Sequence, residues 1–269
     1  MGNIICVGAY YSEYSGGENS GVARVFQNIE EGWIQIGQDI YPPLIDQNLA
    51  SSGGIIDDAW FGHAVSINGL GNRVAVGGYK SQFYEDDSGL VQVYELIDEQ
   101  WVQLGQDIFG SLNESIGWAI SLNELGNIIV LSSPTNSDIT KIYEFISDQW
   151  VLVEEIEGAG GHSVDVDNEG NTIVIGNSSN NEVRIYEAAE NWFQLGNSLA
   201  DNENQTPLSG SSVSISGDGT RVAFGCPTLG GNDNGYVYVF EFAESSWSQM
   251  GSVITGESPG DLFGSSVSI

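Results

Sequence analysis

The chain has 269 residues, 41% of them hydrophobic, with 36 glycines, a composition able to bury a large core. Its 37 acidic against 6 basic residues give a formal charge of −31, which excludes nucleic acid as a partner for want of clustered Lys and Arg, and disfavours anionic membranes. Two cysteines are too few for a disulfide framework, no run reaches transmembrane length, and no charged segment followed by an apolar one marks a signal peptide.

Four strand patterns follow one another and repeat. The chain opens on GNIICVG (2–8), a pattern termed B, followed by GVARVFQ (21–27), pattern C, and WIQIGQDI from Trp33, pattern D. A hairpin then spans Phe61 to Tyr79, FGHAVSINGLGNRVAVGGY, whose first half is pattern A and whose second half is B. Patterns C and D follow at GLVQVYE (89–95) and WVQLGQDI from Trp101. The same order recurs from Ile116, from Gly160 and from Ser209, with D-strand tryptophans at Trp150, Trp192 and Trp247. The last residues, Phe263–Ile269 (FGSSVSI), are again pattern A. Alternating β-branched and aromatic residues between Gly, Asn, Asp and Ser clusters are strand signals, and no stretch has helical periodicity.

Five copies of a four-stranded unit of about 54 residues make propeller blades, each burying its faces against its neighbours. The expected fold is all-β, a single domain and a monomer: a five-bladed propeller of antiparallel blades at 263–269 with 1–40, 61–108, 116–156, 161–199 and 210–254. Strand 263–269 is expected to pair with strand 2–8 and close the ring, hiding sheet edges that an open array exposes.

The strings FGxSVSI, GxRVAVG, GxVxVYE and WxQLGQDI resemble the FG-GAP-type repeats of large secreted and cell-surface proteins, to which integrin α propellers are related. The resemblance covers the whole chain and implies the propeller fold, a binding role and an extracellular or cell-surface location, with the cytoplasm as the alternative. Integrin-type repeats carry Asp-rich calcium loops, whereas the A–B turns here read NGLGN, NELGN, DNEGN and SGDGT and lack that carboxylate density. Weak calcium binding is expected instead from loop acids Asp86, Asp87 and Asp233; no other cofactor is implied.

Length varies freely in the B–C and D–A connections, which emerge on one face of an up-and-down propeller, while the A–B turn is constant and the C–D turn differs by one residue in one copy. Loops on a rigid scaffold carry binding. The two longest, 9–20 and 41–60, belong to one blade; the first holds Tyr10, Tyr11 and Tyr14, and the next blade adds Tyr79, Phe83 and Tyr84. Aromatics among small polar residues suit sugar stacking or protein contact. The residue after each strand A glycine enters from this face at the channel mouth: His63, Trp118, His162, Ser211 and Ser265. Acids around them are expected to favour the imidazolium and make binding change between about pH 5 and 8.

Other features read as structure. One Trp per strand D is inter-blade packing, the Gln two residues on shares that role, and Arg24, Arg73, Lys141, Arg184 and Arg221 pair with acids across strands. Cys6 aligns with Ala75, Val130, Val174 and Ala223, a small buried apolar position. A glycoside-acting enzyme needs two carboxylates at the axis, but the equivalent strand A positions read Ser66, Ser121, Asp165, Ser214 and Ser268. The function expected is therefore non-enzymatic binding of a glycan or a protein surface through the long-loop face, with a structural spacer as the alternative.

Overall fold

The computed structural model describes residues 3–13, 18–43, 59–81, 87–135, 138–199, 210–228 and 234–269, and the account that follows is of these. They contain no helix and form five antiparallel sheets. The first holds β1 (Ile4–Gly8), β2 (Ala23–Ile29) and β3 (Gly32–Gln35). The second holds β4 (Ala64–Ile67), β5 (Arg73–Gly78), β6 (Leu90–Ile97) and β7 (Gln100–Gln103), with β8 (Ile108–Phe109) also on β6. The third is β9 (Ala119–Leu122), β10 (Ile128–Ser133), β11 (Ile139–Ile146) and β12 (Gln149–Glu157). The fourth is β13 (Ser163–Val166), β14 (Thr172–Asn177), β15 (Glu182–Ala188) and β16 (Trp192–Gln194). The fifth is β17 (Ser212–Ile215), β18 (Arg221–Cys226), β19 (Tyr236–Ala243) and β20 (Ser246–Gln249), with β21 (Ile254–Thr255) also on β19. Every A, B, C and D pattern from 61 to 250 thus lies in the sheet position its order implies, the architecture of a β-propeller. Among the described residues no helix is long and apolar enough to cross a membrane, a statement that leaves β-barrels aside.

Pattern D is not one strand throughout. In the second sheet Gly105 takes a left-handed φ of 75°, interrupting the strand, so that β7 pairs with the end of β6 and β8 with its beginning. The third copy, WVLVEEIE, has no glycine there; β12 runs unbroken and absorbs the offset as an irregularity opposite Ile142 and Tyr143.

Four apolar clusters lie between successive sheets. Three of the five strand D tryptophans reach back to the preceding sheet with a hydrogen bond. The indole of Trp101 donates to the Ile36 carbonyl, that of Trp150 to Leu104 and that of Trp247 to Leu195, each at 2.9 Å. The acceptor always precedes a glycine, and the reason is space: a methyl added at Gly37 would stand 2.5 Å from the Trp101 ring.

The seam between the fifth sheet and the first is different. Residues 263–269 form no strand, and the expected ladder to β1 is not made; the first sheet has three strands. The segment docks instead on β17, where the Ile269 amide donates to Ser214 Oγ at 3.3 Å and Ser212 Oγ donates to the Gly264 carbonyl at 2.8 Å. The same row joins β4 to β9, where the Leu122 amide donates to Ser66 Oγ. Residues 263–269 therefore lie beside β17 through the same serine position by which β4 meets β9. Ser268 and Ile269 line one cavity with Ile4 and Ile67, so the two ends of the chain face each other. Positions buried at the other seams are open here. Trp33 is 48% exposed against 3% for Trp101 and Trp150, and Ile254 is 50% exposed against 3% for Ile108. Ile5 and Val7 are likewise exposed, where Val74 and Val76 are fully buried.

Candidate functional site

The loop face carries a continuous chain of rings. Tyr10 and Tyr11 follow β1, in a loop closed by the Ala9 amide donating to the Val22 carbonyl. Trp60 precedes β4 in a left-handed conformation, φ 53°, held by its amide donating to the Asn19 carbonyl, and its own carbonyl accepts from the His63 amide. Tyr79 and Lys80 follow β5, while Trp118 and His162 enter β9 and β13. Ring centroids are 5.4 Å apart for Tyr10–Trp60, 5.4 Å for Tyr10–His63 and 5.3 Å for Tyr11–Trp60. His63 lies 4.6 Å from Tyr79 and 5.4 Å from Trp118, Tyr79 lies 4.4 Å from Trp118, and Trp118 lies 6.1 Å from His162. The Lys80 ammonium stands 4.1 Å from the centroid of a Trp60 ring. Tyr79 is buried and Tyr11 exposed; the other rings are half-buried. Offset and edge-on contacts of this kind hold the rings in fixed mutual orientations.

Polar atoms among these rings lack partners. Trp60 Nε1, His63 Nδ1 and His162 Nδ1 are each buried without a hydrogen-bond partner among the described residues, and Ser81 Oγ beside Lys80 is a fourth such atom. Buried polar atoms are ordinarily satisfied, and those that are not call for an explanation. The Trp118 backbone also acts on His63 as a hydrogen-bond partner, while His63 Nδ1 stays without one among the described residues.

The protonation expectation is corrected here. Burial among the rings lowers the pKa of His63, outweighing its bond to Trp118, and burial lowers that of His162 against the attraction of Asp138. Desolvation of the charged form outweighs the acids, so both imidazoles are neutral at pH 7. Burial also raises the Tyr79 hydroxyl, helped by Tyr11, Tyr10 and Asp87.

Of the residues expected at the mouth, the structure brings His63, Trp118 and His162 into one run of rings, together with Tyr10, Tyr11 and Tyr79. Ser211 occupies the equivalent place before β17, and exposed Ser265 donates its hydroxyl to the Leu262 carbonyl. Tyr14, Phe83, Tyr84, Asp86 and Asp233 lie outside the described residues. The Asp87 carbonyl accepts from the Ser115 amide, and among the described residues no group of three metal-ligating side chains gathers. Trp60 and Lys80 are the members that sequence reasoning missed. Trp60 stands two residues before a strand A glycine, where other copies have Ser115 and Leu262, also at left-handed φ. The backbone geometry recurs while the side chain does not, and that contrast was the available signal.

Asp165 lies on the inner strand β13, where its carboxylate is engaged. Oδ1 accepts from Ser121 Oγ, while Oδ2 accepts from Ser214 Oγ and the Ile215 amide at 3.0 Å. It binds three inner strands together. Arg73 and Arg221 pair with Glu95 and Glu241, their cross-strand partners, and Lys141 forms a buried pair with Glu114 at 2.6 Å. Both cysteines are free.

No protein-family model and no curated protein matches the chain. Among solved structures it is similar to a chain of the mitotic checkpoint complex, at 9% identity and TM-score 0.59 over 94% of this chain and 61% of that one. It is similar to a provisionally assigned 6-phosphogluconolactonase from Bacteroides fragilis, at 10% identity and TM-score 0.58 over 92% and 70%. A third similar structure is the hydrazine synthase of Kuenenia stuttgartiensis, at 14% identity and TM-score 0.52 over 72% and 49%, so that the chain spans about half of that protein's length. The checkpoint and lactonase structures are propeller-like, and at these identities the likeness is one of fold alone.

Proposed function

We propose that this chain is a non-enzymatic, monomeric binding module that recognises a glycan through its aromatic loop face, on a five-bladed ring whose fifth seam closes in solution. The observation that carries the reading is the run of rings from Tyr11 to His162 interleaved with unpartnered Trp60 Nε1, His63 Nδ1 and His162 Nδ1. A sugar offers what both halves lack: C–H faces for the rings, and hydroxyls that accept from an indole N–H or donate to an imidazole nitrogen. A flat apolar protein surface would cover the rings and leave the nitrogens unpaired, at a cost for each. Catalysis is not part of the proposal, because the one inner-strand carboxylate, Asp165, has both oxygens committed to strand contacts. Ring closure is supported by the apolar positions open at one seam and filled at four. The repeat resemblance favours an extracellular or cell-surface location.

A glycan array probed with the chain and with a His63→Ser, Trp118→Ser, His162→Ser triple variant tests the site. Binding by the parent and loss in the variant is the expected result, with Tyr11→Ser, at a 60% exposed position, weakening binding at unchanged melting temperature. No glycan bound, or undiminished binding by both variants, overturns the reading and favours a structural spacer.

A further inference from the structure

We infer that the glycan is an amine-bearing one, held by cation–π contact on the aromatic face; this rests on the glycan reading above. The first ground is charge. Five of the six basic residues, Arg24, Arg73, Lys141, Arg184 and Arg221, are engaged in ion pairs with carboxylates. The sixth, Lys80, is the one set on the aromatic face, and the chain as a whole carries −31. A uronate or sulfated sugar would meet this field with Lys80, already held over the Trp60 ring, as the one cation on this face to receive it, whereas an ammonium is drawn in by the net charge.

The second ground is geometric and independent of net charge. The Lys80 ammonium already sits 4.1 Å from a Trp60 ring centroid, well within the range of cation–π attraction. The chain thus supplies its own tethered example of the contact, at the ring that also presents an unpartnered N–H. Tyr79 and Trp118, 4.4 Å apart, offer further faces. Carboxylates border the cluster: Asp138 acts on His162, and Asp87 acts on Tyr79. Both histidines are neutral at pH 7, so neither repels a cation. A sugar amine on these faces gains the ring quadrupoles and the nearby acids together, while its hydroxyls reach the orphaned nitrogens.

The experiment compares three tetramers by calorimetry at pH 6.5 and low salt: glucosamine, N-acetylglucosamine and galacturonic acid. The glucosamine tetramer is expected to bind about tenfold more tightly than the acetylated one, in the range that a cation–π contact supplies, and the uronate not to bind. Trp118→Ser should abolish the preference, and Lys80→Met should strengthen glucosamine binding several-fold by removing a tethered competitor. Equal affinity for the amine and acetylated tetramers overturns the inference and leaves the glycan reading intact. A preference that survives Trp118→Ser also overturns it, because bulk charge would then be the cause. Failure of all three sugars sinks the glycan reading itself, and a lysine-rich peptide that binds where the glucosamine tetramer does not replaces the glycan with a protein ligand.

Discussion

Trp33→Ala separates a closed fifth seam from an open one. Carrying Trp33 from its 48% exposure to the 3% of Trp101 would take about half of a ~250 Å² side chain out of water. That is roughly 110 Å², or about 3 kcal/mol at 25 cal/mol/Å². The three equivalent indoles also donate to a carbonyl preceding a glycine, which for Trp33 would be Met250 before Gly251; such a bond adds about 1 kcal/mol. Gly251 has nothing within 4 Å of an added methyl, so the recess is free to receive the ring. Urea unfolding of Trp33→Ala and Trp101→Ala measures both. If the ring is closed, each costs about 3–5 kcal/mol, as large aromatic truncations in packed sites do. A loss below about 1 kcal/mol at Trp33, beside a full loss at Trp101, refutes closure. A midpoint that rises with protein concentration also refutes it, placing a second copy in the seam.

Four further outcomes follow from the fold and the site. Because burial lowers both histidines, the unfolded chain binds more protons below its pKa of about 6.5, so stability is full above that value and falls as pH drops toward 5. Replacing both by Gln should flatten the pH dependence of urea midpoints in that window. Lys141→Ala strands the 3% exposed Glu114 carboxylate and should cost about 3–5 kcal/mol in denaturant melts, whereas Arg24→Ala, which breaks an exposed pair with Asp39, should cost under about 1 kcal/mol. Asp165→Asn puts an amide against donors from Ser214 and Ile215 and should lower stability by about 2–4 kcal/mol; a variant as stable as the parent would show that the clamp on the inner strands is idle. Burial pushes the Cys6 thiol up to about 12 and leaves Cys226 fully covered, so a thiol reagent at pH 8 should label neither until urea is added.

The strands were legible because each repeat writes the same alternation in the same order, and alternation with a period of two has one structural meaning. Comparing copies located the variable face, and with it Tyr10, Tyr79 and the mouth residues, because its connections are the ones that change length freely. Properties that depend on neighbours in space were not legible. The acids around His63 and His162 can be counted in the chain, but the rings that desolvate them cannot, and burial proved the larger effect. Pattern A at 263–269 keeps the Gly, Ser/Ala and Val/Ile positions of the other copies, yet whether it forms a ladder depends on what lies opposite, and its hydrogen bonds run to β17 and, from Phe263, to Asn234, with none to β1 among the described residues. Trp60 escaped notice because its place in the repeat is marked by a backbone angle shared with Ser115 and Leu262, which no letter records.

The seven tryptophans give the central claim a direct readout. Indole N–H resonances, assigned by single substitutions, can be followed while the glucosamine tetramer is titrated in. The Trp60 N–H, which has no partner among the described residues, should shift most, and Trp118 should shift with it; Trp101, Trp150 and Trp247, whose indoles donate to backbone carbonyls, should stay in place. Shifts confined to the strand D tryptophans, or none while the tetramer binds, would place the ligand elsewhere and contradict the account.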